Sequence, residues 1–306
     1  MKNYFKVDFS KKSTQFITLC FLALIWGSSF ILMKKGLITY TPVEITLYRI
    51  FIVFLFFTPF GIKGITKINF KIGFVLFISA FIGSAIPYFL FIKAQQSIDS
   101  SLNGILNSIT PLFTLVFAVA FFKEKANLKA LLGIIIGLMG AAGLIFVSNG
   151  KISVSNTSIY ALLPLIGSAC YALNVNLIKN FLHEMSATKI TSLSFLFIGP
   201  IAGVYLFFYT DFFNHLINHE KFNDPYLTNF LFINILGIIG TGLAVWVFNL
   251  LIKETSSVFA SSVTYLIPIV AIFWGVNDGE SFGVYQGLLC GIILAGVYLI
   301  KSNKNT

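Results

Sequence analysis

Long apolar runs, separated by short polar connections, fill most of this 306-residue chain. A helix needs about 20 apolar residues to cross the hydrocarbon core of a bilayer. The chain has ten runs of that order, at roughly 15–33, 43–60, 72–92, 101–122, 129–147, 159–178, 189–209, 228–251, 257–275 and 283–300. The pattern predicts an all-α membrane protein with ten transmembrane helices joined by short loops.

Two regions of the chain repeat one order of residue types. Residues 100–147 and 256–300 each begin with a serine pair and continue as an apolar run that one proline interrupts. An acidic residue and a glycine-rich apolar run follow in both regions. The corresponding residues are Pro111 and Pro268, Glu124 and Glu280, and the glycine pairs Gly133/Gly137 and Gly287/Gly291. Such duplication is typical of transporters built from two repeats, so we divide the chain into two five-helix repeats, residues 1–150 and 151–306.

The two repeats are expected to have opposite orientations in the membrane. Because five is an odd number, a second copy of a five-span unit must insert upside down. Most lysines lie on connections that share a side with the N-terminus, and the positive-inside rule places that side in the cytoplasm. We therefore predict a multi-pass protein of the cell (inner) membrane, with inverted repeats and both termini cytoplasmic.

The composition excludes a water-soluble protein. Hydrophobic residues make up 57% of the chain and charged residues only 10%, whereas soluble domains carry about 25% charged residues. The net charge of +10 follows from the cytoplasmic lysines, so we expect no nucleic-acid partner. The three cysteines lie in separate runs. Neither a disulfide framework nor a metal or cofactor motif is predicted.

The fourth run carries a stripe of polar side chains. The stripe consists of Asn103, Asn107, Thr110 and Thr114, which share one face of a helix. Because polar side chains are unfavourable against lipid, the stripe either lines a wet cavity or forms hydrogen bonds with a neighbouring helix. Pro111 removes a backbone donor and frees the carbonyl group of Asn107. This arrangement favours a kink at which a solute binds and the helix bends, although a purely structural kink would have the same pattern.

The ninth run has a matching arrangement. Pro268 frees the carbonyl group of Thr264, and Ser261 and Tyr265 lie close to it in the sequence. Two such stripes that face each other would form a polar, uncharged site. The prolines are then candidates for a gate, and the polar residues are candidates for solute binding.

Further candidate binding residues come from the other runs. Trp26 lies too deep in the first run to act as an interfacial anchor, so its ring is expected to pack against a cavity. A shift of the sequence by about 145 residues pairs Trp26 with Tyr171 and Ser29 with Asn174. The third and eighth runs add Tyr88, Trp246 and Asn249. The aromatic rings of this set could stack against a solute, while interfacial anchoring explains many such residues in membrane proteins.

Arg49 is the only arginine of the chain and lies within the second run. A charge inside the bilayer costs about 2.5–3.5 kcal/mol on insertion scales. Its guanidinium group either anchors a carboxylate or phosphate of the solute or pairs with Glu44 or helix-end carbonyls. No acidic residue lies in the middle of a run, which argues against a proton-driven exporter of cationic drugs that uses a buried glutamate.

Several segments in a fixed order carry a family resemblance. They are Trp26 to Phe30, Pro42 to Arg49, Ala94 to Pro111 with its serine pair, Glu124 with the glycine-rich fifth run, and the second copy through Pro268 and Glu280. In this order, over almost the whole chain, they resemble the EamA family of the drug/metabolite transporter (DMT) superfamily. The resemblance implies ten helices in inverted repeats around a central cavity, alternating access, and export or exchange of small metabolites, often amino acids.

These observations favour a secondary transporter of small polar or amphipathic metabolites, with amino acids as the expected class. The alternative is a flippase for lipids or lipid-linked sugars of the inner membrane. An enzyme is not expected, because no run carries a catalytic cluster of side chains. The expected partners are the metabolite and the lipid bilayer. Packing of the glycine pairs within one chain predicts a monomer.

Overall fold

The computed structural model describes residues 9, 11–61, 68–145, 147–148, 151–152, 157–218, 225–255 and 257–301. Almost all of this part of the chain is helical. The α-helices are α1 Lys12–Gly36, α2 Pro42–Gly61, α3 Phe70–Ala80, α4 Ile86–Ala94, α5 Ser100–Asn107, α6 Thr110–Phe122, α7 Leu128–Ile145, α8 Thr157–Tyr160, α9 Leu162–Phe181, α10 Ala187–Phe208, α11 Phe212–Asn218, α12 Pro225–Gly237, α13 Ala244–Glu254, α14 Ser257–Ser261, α15 Ile267–Asn277 and α16 Val284–Lys301. Two-residue strands, β1 Val147–Ser148 and β2 Lys151–Ile152, pair antiparallel near the middle of the chain.

Eight helical stretches of the described chain are long and apolar enough to cross a membrane. They are Lys12–Gly36, Pro42–Gly61, Phe70–Ala94, Ser100–Phe122, Leu162–Phe181, Ala187–Phe208, Tyr226–Glu254 and Phe259–Asn277. The fifth and tenth predicted spans form the shorter apolar helices Leu128–Leu144 and Val284–Leu299. Large apolar side chains on the outside, such as Phe56 and Phe208, are exposed, as lipid contact requires. The prediction of an all-helical membrane protein is therefore confirmed, with eight of the ten predicted spans.

The two mid-span prolines stand where the chain breaks its helices. The α5 helix ends at Asn107, and Pro111 is the second residue of α6. In the second half, a 3-10 segment, Ser262–Tyr265, precedes α15, in which Pro268 is again the second residue. Proline is favourable at a helix start because the N–H group it lacks would have no helical partner there. The predicted kinks are therefore breaks between separate helices.

The third and eighth spans each contain a π-helical segment. Phe81–Ala85 joins α3 to α4, and Ile238–Leu243 joins α12 to α13. Each segment brings a glycine against a polar residue of another span: Gly83 lies against the amide of Asn174, and Gly240 lies close to the hydroxyl of Ser29. Segments of this kind occur frequently at functional sites.

Helices of the first half pack mainly against helices of the second half. The α1 helix contacts α12 and α15, α2 contacts α10 and α12, and α4 and α6 both contact α9. The largest core cluster consequently combines residues from both halves, including Leu22 and Ile45 with Leu193 and Ile267. This interleaving leaves the polar faces of several broken spans directed at a common central region.

The α7 and α16 helices pack along each other through glycines. A Cβ atom added at Gly296 would stand 2.5 Å from the carbonyl oxygen of Gly133 and 2.6 Å from the amide nitrogen of Gly137. The first glycine pair therefore serves the close approach that the sequence indicates. In the second copy, a Cβ atom at Gly291 would meet no atom within 4 Å. Gly296 forms this contact instead of the predicted glycine of the repeat.

We predict that Gly296→Ala lowers stability by roughly 1–3 kcal/mol, because overpacking against backbone atoms cannot be relieved by side-chain rotation. Gly291→Ala is the matched control on the same helix, and it should be neutral or slightly stabilising since alanine is the better helix former. Thermal unfolding of the two variants in detergent measures the difference. Equal unfolding temperatures for both would contradict the α7–α16 contact.

Candidate functional site

A cavity lies between the two halves, lined by residues from both. Its volume is about 100 Å³. By the same measure, a cavity that holds one water molecule needs roughly 10–15 Å³. The lining comprises Trp26, Ser29, Phe30 and Met33 of α1, Arg49 of α2, Gly83, Tyr88 and Phe91 of the third span, Asn107 and Thr110 at the α5–α6 break, Tyr171, Asn174 and Val175 of α9, Val245, Phe248 and Asn249 of the eighth span, and Ser261, Val263 and Thr264 of the ninth. The space is sufficient for several waters or a small solute.

Most of the binding residues selected from the sequence lie on this lining. Those brought together are Trp26, Ser29, Arg49, Tyr88, Asn107, Thr110, Tyr171, Asn174, Asn249, Ser261 and Thr264. Pro111 and Pro268 are not lining residues, but each directly follows a break whose residues line the cavity.

Three of the selected residues lie outside the lining. Asn103 donates through Nδ2 to the carbonyl oxygen of Phe91 and to Oε1 of Gln95, at 2.9 and 3.1 Å. Trp246 donates to the hydroxyl of Thr188 at 3.0 Å, and Tyr265 packs against an apolar cluster. Asn103 lies one turn before Asn107 on the same helix α5, but its amide is bound to the end of the third span and does not reach the cavity.

Sequence reasoning missed the apolar part of the lining. Phe30, Met33, Phe91 and Phe248 contribute much of the wall, yet in an apolar run these residues look like any other core side chain. Phe30 lies within the first segment that carried the family resemblance, which was the only available signal. The π-helical segment at Gly83 left no sequence signal either.

Asn107 and Thr110 stand on either side of the α5–α6 break. The hydroxyl of Thr110 donates to the carbonyl oxygen of Asn107 at 2.7 Å, the group that Pro111 deprives of its helical donor. The side-chain oxygen of Asn107 receives two long contacts, from the hydroxyl of Thr110 at 3.3 Å and from the hydroxyl of Ser168 at 3.5 Å. Within the described chain no acceptor contacts its Nδ2 atom, so the amide can bind a solute.

Aromatic rings form two walls of the cavity. The indole nitrogen of Trp26 donates to the carbonyl oxygen of Gly240 at 3.0 Å, and its ring meets Phe248 edge-to-face at 4.9 Å between centroids. On the other wall, Tyr171 stacks on Phe91 at 5.7 Å. These contacts hold the rings in place as rigid surfaces for an apolar or cationic group.

Two amide side chains face the cavity from α9 and α13. Asn174 accepts a hydrogen bond from the hydroxyl of Ser79 at 2.5 Å through Oδ1. Asn249 donates through Nδ2 to the hydroxyl of Thr191 at 2.9 Å. Each amide is therefore bound at one end to a hydroxyl group, and within the described chain its other end forms no hydrogen bond.

Arg49 is buried at one side of the cavity, with 5% of its surface exposed. Its Nε atom donates to the hydroxyl of Thr241 at 3.0 Å, and Nη1 makes a weak contact of 3.7 Å with the sulfur of Met33. The guanidinium carbon lies 4.1 Å from the centroid of the Tyr88 ring. Within the described part of the chain, Arg49 contacts only uncharged groups.

Glu44 does not pair with Arg49. Its carboxylate accepts hydrogen bonds from the backbone N–H and the hydroxyl of Thr41, at 2.8 and 2.9 Å. This contact satisfies donors at the start of α2, as a capping residue does. The expected alternative in which Arg49 pairs with Glu44 is therefore wrong.

A charged cluster, which we call the Glu280 cluster, joins α1, the start of α5 and the loop after α15. It consists of Lys34, Lys35, Ser100, Ser101, Asp278 and Glu280. The carboxylate of Glu280 accepts from the backbone N–H and hydroxyl groups of both Ser100 and Ser101, at 2.7–3.0 Å. Lys34 binds Glu280 and Asp278, each at 2.8 Å. An acid from the second half thus caps the N-terminus of α5 in the first half, where the helix dipole favours a negative charge.

A related but simpler contact also joins the two halves. Lys179 of α9 pairs with Glu124 in the loop after α6. The repeat relates Lys179 to Lys34 and Glu124 to Glu280. The two contacts differ in burial, since the Glu280 side chain is 2% exposed and the Glu124 side chain is 28% exposed.

The pKa values of the loop acids reflect the Glu280 cluster. Burial by itself would raise the pKa of Glu280, but hydrogen bonds from Lys34, Ser100 and Ser101 outweigh it and lower this pKa from 4.5 to about 2. The pKa of Asp278 is also lowered, because bonds from Lys34 and Lys35 outweigh its desolvation. Both carboxylates therefore stay ionised at neutral pH.

Comparison with known proteins identifies similar sequences. The model of the EamA-like transporter family matches residues 14–146 and again residues 158–302. The chain is 28% identical over 219 residues to the uncharacterized inner membrane transporter YedA of Escherichia coli (strain K12), which covers 70% of this chain and 65% of YedA. The alignment thus spans less than two thirds of that relative.

Other relatives align over nearly their full length. An uncharacterized transporter of Archaeoglobus fulgidus is 24% identical over 94% of this chain and 98% of its own. Protein PagO of Salmonella typhimurium is 24% identical, over 93% and 91% of the two chains. A solved protein structure superposes with a TM-score of 0.66 at 14% identity, over 94% of this chain and 96% of that one, which shows the fold alone. With the eight candidate spans, the similarities indicate a multi-pass membrane protein.

We predict that Glu280→Gln lowers stability by roughly 2 kcal/mol, less than the 3–5 kcal/mol typical of a broken buried pair, because Lys34 keeps Asp278. Glu124→Gln is the matched control, and its more exposed pair should contribute less than about 1 kcal/mol. Since the pKa of Glu280 is lowered on folding, its contribution is complete above pH 4.5 and is lost as the pH falls towards about 2. Thermal unfolding in detergent against pH measures both effects, and equal losses for the two variants would contradict the prediction.

Proposed function

The chain belongs to the EamA-like transporter family, and from this premise we propose that it exports or exchanges small metabolites, amino acids in particular, by alternating access. The observation that carries the proposal is the cavity between the two halves, whose lining combines amide, hydroxyl and aromatic side chains with one cation. Sites of this composition hold a small solute by a few placed polar groups within apolar walls.

The chemistry of the lining supports a small polar or amphipathic substrate. Asn107, Asn174 and Asn249 offer amide groups, while Trp26 and Tyr171 present rigid rings. No carboxylate is among the lining residues of the described chain. A cationic drug would therefore have no counter-charge there, whereas a zwitterion with an apolar side chain would find a partner for each of its parts.

Inverted repeats are part of the proposal. Residues 1–150 and 151–306 would each contribute five spans, with α7 and α16 as the fifth span of each repeat. Several paired features support this division: the two family matches, the two breaks that precede Pro111 and Pro268, and the two π-helical segments. Repeats of opposite orientation give a transporter two equivalent ways to close around one site.

The unequal charged contacts support alternating access. In the present conformation the Glu280 cluster binds α1, α5 and the loop after α15 firmly, while the related Lys179–Glu124 pair is partly exposed. Movement of the halves would release the Glu280 cluster and compress the opposite pair. The two contacts would then close opposite ends of the cavity in turn.

We further propose that the protein lies in the inner membrane as a monomer with both termini in the cytoplasm. The distribution of lysines supports this topology. The packing of Gly133 and Gly137 against Gly296 of the same chain supports the monomer, since these glycines are already used within the chain. The terminal residues 1–8 and 302–306 lie outside the described part of the structure.

The flippase alternative predicts a different substrate. A lipid or lipid-linked sugar would keep its chains in the bilayer while its headgroup crosses through the protein. Proteoliposomes separate the two functions, because uptake of a water-soluble amino acid is measured in the lumen and lipid transfer is measured between leaflets.

We predict that Asn107→Leu reduces amino-acid flux into proteoliposomes at least tenfold, because it removes the amide at the α5–α6 break without leaving a void. Asn214→Leu on α11 is the matched control, since Asn214 is exposed and outside the cavity lining, and it should retain flux. Size-exclusion chromatography checks that both variants remain folded. Unchanged flux in Asn107→Leu would remove this residue from the site, and lipid transfer without amino-acid flux would favour the flippase.

A further inference from the structure

Arg49, the cation of the cavity, has no acidic partner among the described residues of the chain. A guanidinium group has five N–H donors, but the protein contacts of Arg49 consist of one hydrogen bond to Thr241, one weak contact to sulfur and one aromatic face. Burying a charge without compensation is strongly unfavourable. Arg49 is buried, but it also lies on the cavity lining. A negatively charged ligand in the cavity would supply the partner that the protein does not.

The acids that could have neutralised Arg49 are engaged elsewhere. Glu44 caps α2 through Thr41. Glu280 and Asp278 bind lysines of α1, and Glu124 binds Lys179. Among the residues that the structure describes, none of these acids forms an ion pair with the guanidinium group.

The neighbours of Arg49 fix the orientation of its guanidinium group. Thr241 lies in the π-helical segment Ile238–Leu243, and its hydroxyl accepts from Nε while donating to the carbonyl oxygen of Leu236 at 3.0 Å. The Tyr88 ring covers one face of the guanidinium plane. With Nε held and one face covered, the remaining Nη donors form the edge that suits a planar, bidentate acceptor.

We propose that Arg49 binds the carboxylate of the substrate, so that the cavity selects compounds with one carboxylate, including zwitterionic amino acids. This inference rests on the proposed function. A single guanidinium balances one negative charge, and no lysine is among the lining residues of the described chain. A phosphate dianion would therefore remain half-compensated. An ammonium group on the same molecule can be received by amide oxygens and by the faces of Trp26 and Tyr171.

Binding to the purified protein tests the carboxylate directly. The probes are L-amino acids, the corresponding L-amino acid amides, simple monocarboxylates and inorganic phosphate, measured by calorimetry and thermal shift. Conversion of the carboxylate to an amide leaves size and side chain nearly unchanged, but it replaces the negative charge beside Arg49 with a neutral group. We expect at least one carboxylate to bind, and its amide to bind roughly 10- to 100-fold more weakly.

Variants of the arginine identify the group responsible. Arg49→Gln should lose the preference for the acid over the amide, while Arg49→Lys should keep part of it because the charge remains without the bidentate edge. Thr241→Val retains the guanidinium but removes its anchor, so a reduced acid-to-amide ratio is expected. If Arg49→Gln does not fold, the ratio measured on the wild-type protein still decides the matter.

Three results would overturn the inference: no carboxylate binds, the amides or phosphate bind as tightly as the acids, or a folded Arg49→Gln keeps the wild-type ratio. The fate of the proposed function is read separately, from flux in proteoliposomes. Carboxylates that bind with the expected ratio but are not transported would refute transport and leave the carboxylate site. If compounds are transported but acids and amides bind equally well, the carboxylate site is refuted and the transport function is kept.

Discussion

The lack of water in the hydrocarbon core of a bilayer is the constraint on which the rest of this structure depends. Every backbone and side-chain polar group at that depth needs a partner within the protein. The break before Pro111 is tolerated because the hydroxyl of Thr110 binds the freed carbonyl of Asn107. The same constraint turns the amides inward, so that irregular backbone and polar side chains collect around one cavity.

The two halves share a plan but differ where they meet the cavity. Gly83 approaches the amide of Asn174, while Gly240 approaches the hydroxyl of Ser29. Arg49 has Ser194 at the related position of the second half, and the hydroxyl of Ser194 is buried without a partner in the described chain. If the halves move as proposed, the shared broken spans would serve that movement, whereas these differences make the two halves unlike around the cavity. Because the residues around the cavity differ between the two halves, a small solute with unlike ends would bind in one preferred orientation.

Much of the architecture followed from local patterns. Apolar runs of sufficient length predicted the spans, and the prolines marked both broken helices. Residues such as Trp26, Asn107 and Thr264 were selected because a polar or large aromatic side chain deep in a span has few places to lie, and all three line the cavity. The failures also have local causes. Asn103 was grouped with Asn107 because the two lie one turn apart on a helix, but that spacing does not show that the third span binds the Asn103 amide. Gly296 was missed because a glycine spacing does not say which helix comes close.

The sequence by itself determined that this chain crosses the membrane many times, where its helices break and which polar residues must avoid lipid. These properties depend on hydrophobicity and on backbone donors, which are read along the chain. Only the tertiary structure decided which charges meet. Glu280 binds the start of α5 and Lys34, Glu44 binds Thr41, and Arg49 is left with uncharged neighbours. Except for Glu44 with Thr41, these pairings join residues far apart in sequence. An electrostatic energy depends on the distances between the groups and on the surrounding dielectric, both of which the packing sets.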